Sequence, residues 1–147
     1  MSHGLPAPFA SISGQTPVAE AFATFLRMLQ DLQATYGDDY EAIAIVALVH
    51  EVTFSDCREN PIARRSTQCA PPDAQASVSR LKVAETLGIP RETVRRKVNE
   101  LIARGVIEEV DRAQLVTARQ HKQVAKELSA SMARHILTAK PWKKDRR

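Results

Sequence analysis

A chain of 147 residues, 44% hydrophobic and 26% charged, is long enough to bury the core of one domain, or of one domain with appended helices. It holds no run of about eighteen apolar residues, so a membrane-spanning helix is not expected. The net charge of +4 is unevenly spread: residues 1–57 carry one basic residue (Arg27) against seven acidic, and residues 58–147 carry twenty basic against ten acidic. A net of −6 in front and +10 behind aims the second part of the chain at a polyanion.

Residues 1–15 are rich in Pro, Gly and Ser and are expected to form a flexible N-terminus. They have neither the basic nor the apolar region of a secretory leader, so a cytoplasmic protein is expected. In that compartment Cys57 and Cys69 read as free thiols. A zinc site made from them and His50 is disfavoured, since no CxxC or HxxxH spacing connects them.

The first expected helix occupies residues 16–37, with Thr16 as cap, Pro17 at the first helical position and Gly37 as terminator. Val18, Phe22, Phe25, Leu26, Leu29 and Leu32 recur at helical spacing as one apolar face for packing or dimerisation. A second helix begins at Asp38 or Asp39, where Asp38 and Glu41 resemble a capping box. Its Ile43, Ile45, Val46, Leu48 and Val49 leave almost no polar face, which predicts burial on several sides. His50, at its end, reads as a partly buried helix residue rather than a ligand. Residues 55–76, with three prolines and no period, are expected to be a long loop whose Arg64–Arg65 pair could touch phosphate but reads first as solvated.

A denser block follows. Residues 76–78 suit a short strand, and Ser79 suits the cap of a helix "RLKVAETL" with Leu81, Val83, Ala84 and Leu87 facing inward. Gly88 breaks it, Ile89 fills the corner, and Pro90 starts a second helix with Val94, Val98, Leu101 and Ile102 as its core stripe. Gly105 ends that helix, and "VIEEV", "DRA" and "QLVT" read as two short strands around a tight turn. A last helix at 118–138 presents Val124, Ala125, Leu128, Met132 and Ile136, again for dimerisation or packing. Residues 139–147 form a basic tail that adds electrostatic attraction without specificity.

Helix, tight turn, helix and two-stranded hairpin make the pattern of a winged helix-turn-helix, here spanning residues 38–117 within a mainly α chain. At about 100° per residue, Glu92, Arg96 and Ala103 lie opposite the core stripe, with Thr93, Asn99 and Glu100 beside them. Arg96 can donate two hydrogen bonds to a guanine edge, and Glu92 can accept one from a cytosine amino group. Thr93, Arg95, Lys97 and Arg91 are placed for phosphates or groove edges. Ser79, Arg80 and Arg112, at the start of the first helix and in the hairpin turn, complete the expected DNA contacts.

The stretch "SRLKVAETLGIPRETVRRKVNELIARGVIEEV" resembles the helix-turn-helix of the catabolite activator family. That resemblance implies Arg91, Glu92 and Arg96 as base readers and Thr93 as a phosphate contact. The same residues are similar to the "SRxTVRR" of the gluconate-repressor family, which implies Arg91, Thr93 and Arg95 instead. Pro90 stands where both families usually have Ser or Thr, so a side-chain cap and a backbone donor are missing there. The likeness covers only residues 78–117 or so, and no cyclic-nucleotide β-roll can be drawn from the helical front, so nucleotide sensing is not implied. Long helices on both sides of a winged domain resemble the layout of the multiple-antibiotic-resistance repressor family, where such helices make the dimer.

These readings converge on a homodimeric transcription regulator that binds double-stranded DNA at an inverted repeat. The alternative is a winged-helix interaction or assembly module that reads no sequence. Enzymatic chemistry is not expected, because no glycine-rich phosphate loop and no recognisable Ser/His/Asp or Cys/His set occurs. Neither a cofactor nor a metal is expected. A small-molecule effector would suit a regulator, with Phe22, Phe25 and Tyr40 as candidate pocket walls, although the same aromatics suit a plain core or interface.

Overall fold

A computed structural model describes residues 17–55 and 76–139. The expected N-terminal lead-in, the Thr16 cap, most of the 55–76 loop with Cys57, Cys69, Arg64 and Arg65, and the basic tail from Lys140 lie outside these residues. In chain order the elements are α1 (Pro17–Tyr36), α2 (Tyr40–Phe54), β1 (Val78–Ser79), α3 (Arg80–Leu87), α4 (Arg91–Ala103), β2 (Ile107–Val110), β3 (Gln114–Thr117) and α5 (Lys122–Thr138). The chain is mainly helical, with one small antiparallel sheet in the strand order β1-β3-β2, an arrangement compatible with a winged helix.

The helix ends follow from local chemistry. Gly37 takes φ +88° and its amide donates to the Gln33 carbonyl at 2.8 Å, which closes α1 as an αL cap. Asp39, not Asp38, caps α2: its Oδ1 accepts from the Ala42 amide at 3.0 Å. Glu41 is therefore one position off the reciprocal place, and the capping box read from the sequence does not form. Ser79 Oγ accepts the Lys82 amide at 3.1 Å and starts α3. Gly88, at φ +66°, ends α3 and turns the chain into Pro90, whose carbonyl accepts the Val94 amide at 3.0 Å.

One contiguous core joins these elements. α2 runs through its middle, with Ile45, Val46, Val49 and Val52 fully buried, as its unbroken apolar sequence predicts. Val83 of α3, Val94, Val98 and Leu101 of α4, Ile107 of β2, Leu115 of β3 and Leu128 of α5 close around it. Each such fully buried aliphatic side chain contributes roughly 1.5–3 kcal/mol. α2 also completes the sheet, because Thr53 Oγ1 accepts the Thr117 amide at 2.9 Å and satisfies a buried donor at the end of β3.

Not every predicted inward residue is inward. Leu81 is 44% exposed, because the short α3 turns only Val83 and Ala84 fully into the core. Val18, Phe22 and Phe25 are 57–66% exposed, since α1 turns Ala23, Thr24 and Tyr36 inward rather than its N-terminal aromatics. Val124 and Ile136 of α5 are also exposed, while Ala125 and Leu128 are buried. α1 and α5 run antiparallel: Tyr36 bonds to His121 just before α5, and Asp31 bonds to Ser131 and His135 further along it.

Candidate nucleic-acid interface

The burial of α4 divides it into two sides. Val94 and Val98 are fully buried, while Arg91, Glu92, Arg95, Arg96, Asn99, Glu100 and Ala103 are exposed. Thr93 and Ile102 are half-buried at the border. A 3.6-residue repeat accounts for this division, since the apolar positions fall on one stripe and the arginines off it. The outward side therefore carries three arginines within six residues, and no side-chain cap occupies the helix start at Pro90.

Two of these groups are tied to each other. Arg95 Nε donates to Glu92 Oε2 at 2.9 Å, and its Nη2 also bonds Glu92 Oε1. This pairing holds the Glu92 carboxyl below the usual carboxylate range and raises Arg95. Both side chains remain largely exposed, so the pair is a solvent-screened i,i+3 contact rather than a structural anchor.

Lys97 corrects the sequence reading. Its side chain is buried instead of facing a phosphate, and its ammonium bonds Asp39 Oδ2, with Glu41 Oε1 at 3.8 Å. Helical geometry explains the difference. Lys97 neighbours Val98 and Val94 on the side facing α2, and its four-carbon stem reaches the acidic N-terminus of that helix. The hydrogen bond from Lys97 is the chief reason the Asp39 carboxyl is held below its usual range. Lys97 thus fixes α4 against α2, and it leaves the candidate contact surface.

The remaining sequence-derived candidates flank α4. Ser79 Oγ is occupied as the α3 cap, and Arg80 reaches sideways to Glu109 Oε1 of β2 at 3.1 Å and to Asn99 Oδ1 of α4 at 3.5 Å. Arg80 therefore joins α3, α4 and the hairpin in one polar cluster. Glu109 was missed in the sequence: it lies 29 positions away, and only the fold brings it to Arg80. Arg112 is exposed at the hairpin tip with φ +60°, next to Ala113 at φ +58°. Two consecutive non-glycine residues in the left-handed region cost on the order of 1 kcal/mol each and are held by the β2–β3 pairing around them.

Behind the outward side, Arg104 at the end of α4 donates to the Tyr36 carbonyl at 3.3 Å, placing a cation at the C-terminus of α1. Tyr36 Oη bonds His50 Nε2 at 2.9 Å and His121 Nε2 at 2.8 Å, and His50 Nδ1 bonds Thr117 Oγ1 at 2.6 Å. His50 is half-buried, as the sequence predicts, but its place in this four-residue chain had no local sequence signal. Among the described residues no group of three or more His, Cys, Asp or Glu side chains is arranged to hold a metal, and no helix is long and apolar enough to cross a membrane. No protein-family model matches the chain, and no curated protein matches it significantly.

Proposed function

We propose that this chain is a sequence-specific double-stranded-DNA-binding transcription regulator that acts as a homodimer. The observation that carries the reading is the outward side of α4. It presents Arg91, Glu92, Arg95 and Arg96 to solvent, opposite fully buried Val94 and Val98, beside a hairpin tip bearing Arg112. A rigid helix with that chemistry suits the major groove, and a basic hairpin beside it suits the adjoining backbone.

Within this reading Arg96 and Glu92 contact base edges. Arg91, Thr93, Arg95 and Arg112 hold the flanking phosphates or groove edges, with Asn99 and Arg80 at the margin. The Glu92–Arg95 pair opens when Arg95 moves to a phosphate, which frees the carboxylate for a cytosine amino group. The exposed apolar residues of α1 and α5, namely Val18, Phe22, Phe25, Ile136 and Leu137, support dimerisation through these helices. The same exposed stripe favours a second reading, an assembly module that uses a winged fold for protein contacts alone.

Selection of bound duplexes from a random pool, at about 0.15 M salt, tests the proposal. The expected product is an inverted repeat whose half-sites lie about one helical turn apart, or a multiple of it. Recovery of duplexes without any shared sequence overturns it in favour of the assembly module.

A further inference from the structure

A cavity of about 550 Å³ lies between α1, α2 and α5. Its walls are apolar, from Leu32, Val46, Leu128 and Met132. Tyr36, only 2% exposed, and half-buried His50 form its deep end, whereas exposed Ala47 and Ser129 stand at its mouth. The volume falls in the range of small-molecule sites, about 300–1,000 Å³, and the combination of apolar walls with a few converging polar groups is what such sites share.

The polar end determines the ligand chemistry. A tyrosine hydroxyl has one proton and two lone pairs. The two imidazoles occupy two of these three positions, so Tyr36 Oη keeps one, a lone pair or its proton according to the histidine tautomers. Burial, reinforced by neighbouring His121, pushes the His50 imidazole down to about 4, which keeps it uncharged at neutral pH. Of the lining residues, Glu51 and Lys126 are charged, and both are exposed to solvent. The deep end carries no charge to balance an ionic head group, while a neutral hydroxyl, which both donates and accepts, can bond Tyr36 Oη with either tautomer.

That end is also the anchor of the hairpin. His50 holds Thr117, the last residue of β3, through its second ring nitrogen. A molecule bearing on Tyr36 and His50 therefore bears on the base of the strand pair whose tip carries Arg112.

We propose that this cavity binds a neutral, mainly apolar small molecule carrying a single hydroxyl, and that His50 and Thr117 pass its occupancy to the β2–β3 hairpin. The sequence-derived pocket walls Phe22, Phe25 and Tyr40 take no part, since all three side chains are exposed outside the cavity. Any effect on duplex binding rests on the regulator reading given above; the binding itself does not.

The test titrates the full-length, ¹⁵N-labelled chain with 2-naphthol, and in parallel with naphthalene and 2-naphthoate. The expected result is saturable one-to-one binding of 2-naphthol, about tenfold tighter than naphthalene because one hydrogen bond is added, and tighter than the anion. Ala47→Trp and Ser129→Trp, two substitutions at exposed positions that fill the mouth from opposite walls, are expected to abolish it. Amide shifts are expected at Leu115–Thr117. Absence of saturation, or undiminished binding in both tryptophan variants, overturns the site, as do shifts confined to Val18, Phe22 and Phe25. Binding without shifts at Leu115–Thr117 overturns the transmission. A chain that binds 2-naphthol here yet selects no duplex supports the site and removes the regulator reading; the reverse outcome removes the site alone.

Discussion

One carboxylate, that of Asp39, caps α2 with its Oδ1 and binds the buried ammonium of Lys97 with its Oδ2. The helix that faces outward is thereby locked to the start of the helix at the centre of the core. Because Lys97 is buried and Asp39 is not, the two partners respond differently to removal. Asp39→Ala loses the cap and leaves a buried cation with only the more distant Glu41, so a loss of about 2–4 kcal/mol is expected. Lys97→Met keeps the packed stem and leaves a carboxylate that water can reach, so a loss under about 1.5 kcal/mol is expected. Urea unfolding of both variants checks this; equal losses would show that the pair is not the anchor.

The Lys97 case also marks how far sequence periodicity reaches. The buried stripe Val94, Val98 and Leu101, the Gly88 turn and the hairpin were all legible, because each depends on residues within a few positions of one another. α1 and α2 were placed closely for the same reason. The side chain of Lys97 was not, since a long stem on the border of a helix goes wherever an acidic group is offered, and Asp39 is 58 positions away. Arg80–Glu109 and His50–Thr117 were invisible for the same cause. The exposed α1 aromatics carried a genuine helical period, but period alone does not say whether the chain itself covers the stripe.

Arg96 is exposed on the outward side of α4, where Glu92 is paired with Arg95 instead. Arg96→Ala is expected to leave folding unchanged and to lose about 1–3 kcal/mol of discrimination at one base position of the selected site. Competition between the selected duplex and single-base variants measures this. Equal weakening toward selected and random duplexes would mean that Arg96 supplies charge but no base reading.

Glu109 holds Arg80 across the gap between α3 and β2, with both side chains partly exposed. Glu109→Gln is expected to change stability by less than about 1 kcal/mol, as surface pairs do. Duplex affinity is expected to rise several-fold at low salt, since a negative charge leaves the candidate surface and Arg80 becomes available to a phosphate. The gain is expected to shrink as salt rises, which filter binding across a salt series reads directly. Unchanged affinity at every salt concentration would place Arg80 and Glu109 outside the contact region.

The basic tail from Lys140 to Arg147 holds five basic residues and one acidic. Truncation before Lys140 is expected to weaken binding to selected and random duplexes alike. The slope of log affinity against log salt is expected to fall by about 0.9 for each phosphate that the tail neutralises. Titrations of both duplexes at several salt concentrations test this, and a weakening confined to the selected duplex would assign sequence reading to the tail.

His50 and His121 share the Tyr36 hydroxyl, and His50 closes the chain at Thr117, so protonating either imidazole places a charge among the buried contacts of α1, α2 and the hairpin. Burial is the main cause that lowers both imidazoles, His50 to about 4, with Arg104 adding to the effect at His121 and buried Tyr36 raised to about 12. A depressed histidine means that the unfolded chain binds more protons between its ordinary value, about 6.5, and the folded one. Stability is therefore expected to be full above about pH 6.5 and to decline as the pH falls toward 4. The loss attributable to His50 is on the order of 2 kcal/mol after allowance for partial solvent screening. His50→Gln, which keeps a side chain able to bond Tyr36, is expected to flatten this decline while lowering stability at pH 7. Thermal unfolding of the two proteins from pH 7.5 to 4 measures both effects. If their melting temperatures fall in parallel, carboxylates rather than this imidazole govern the acid limb.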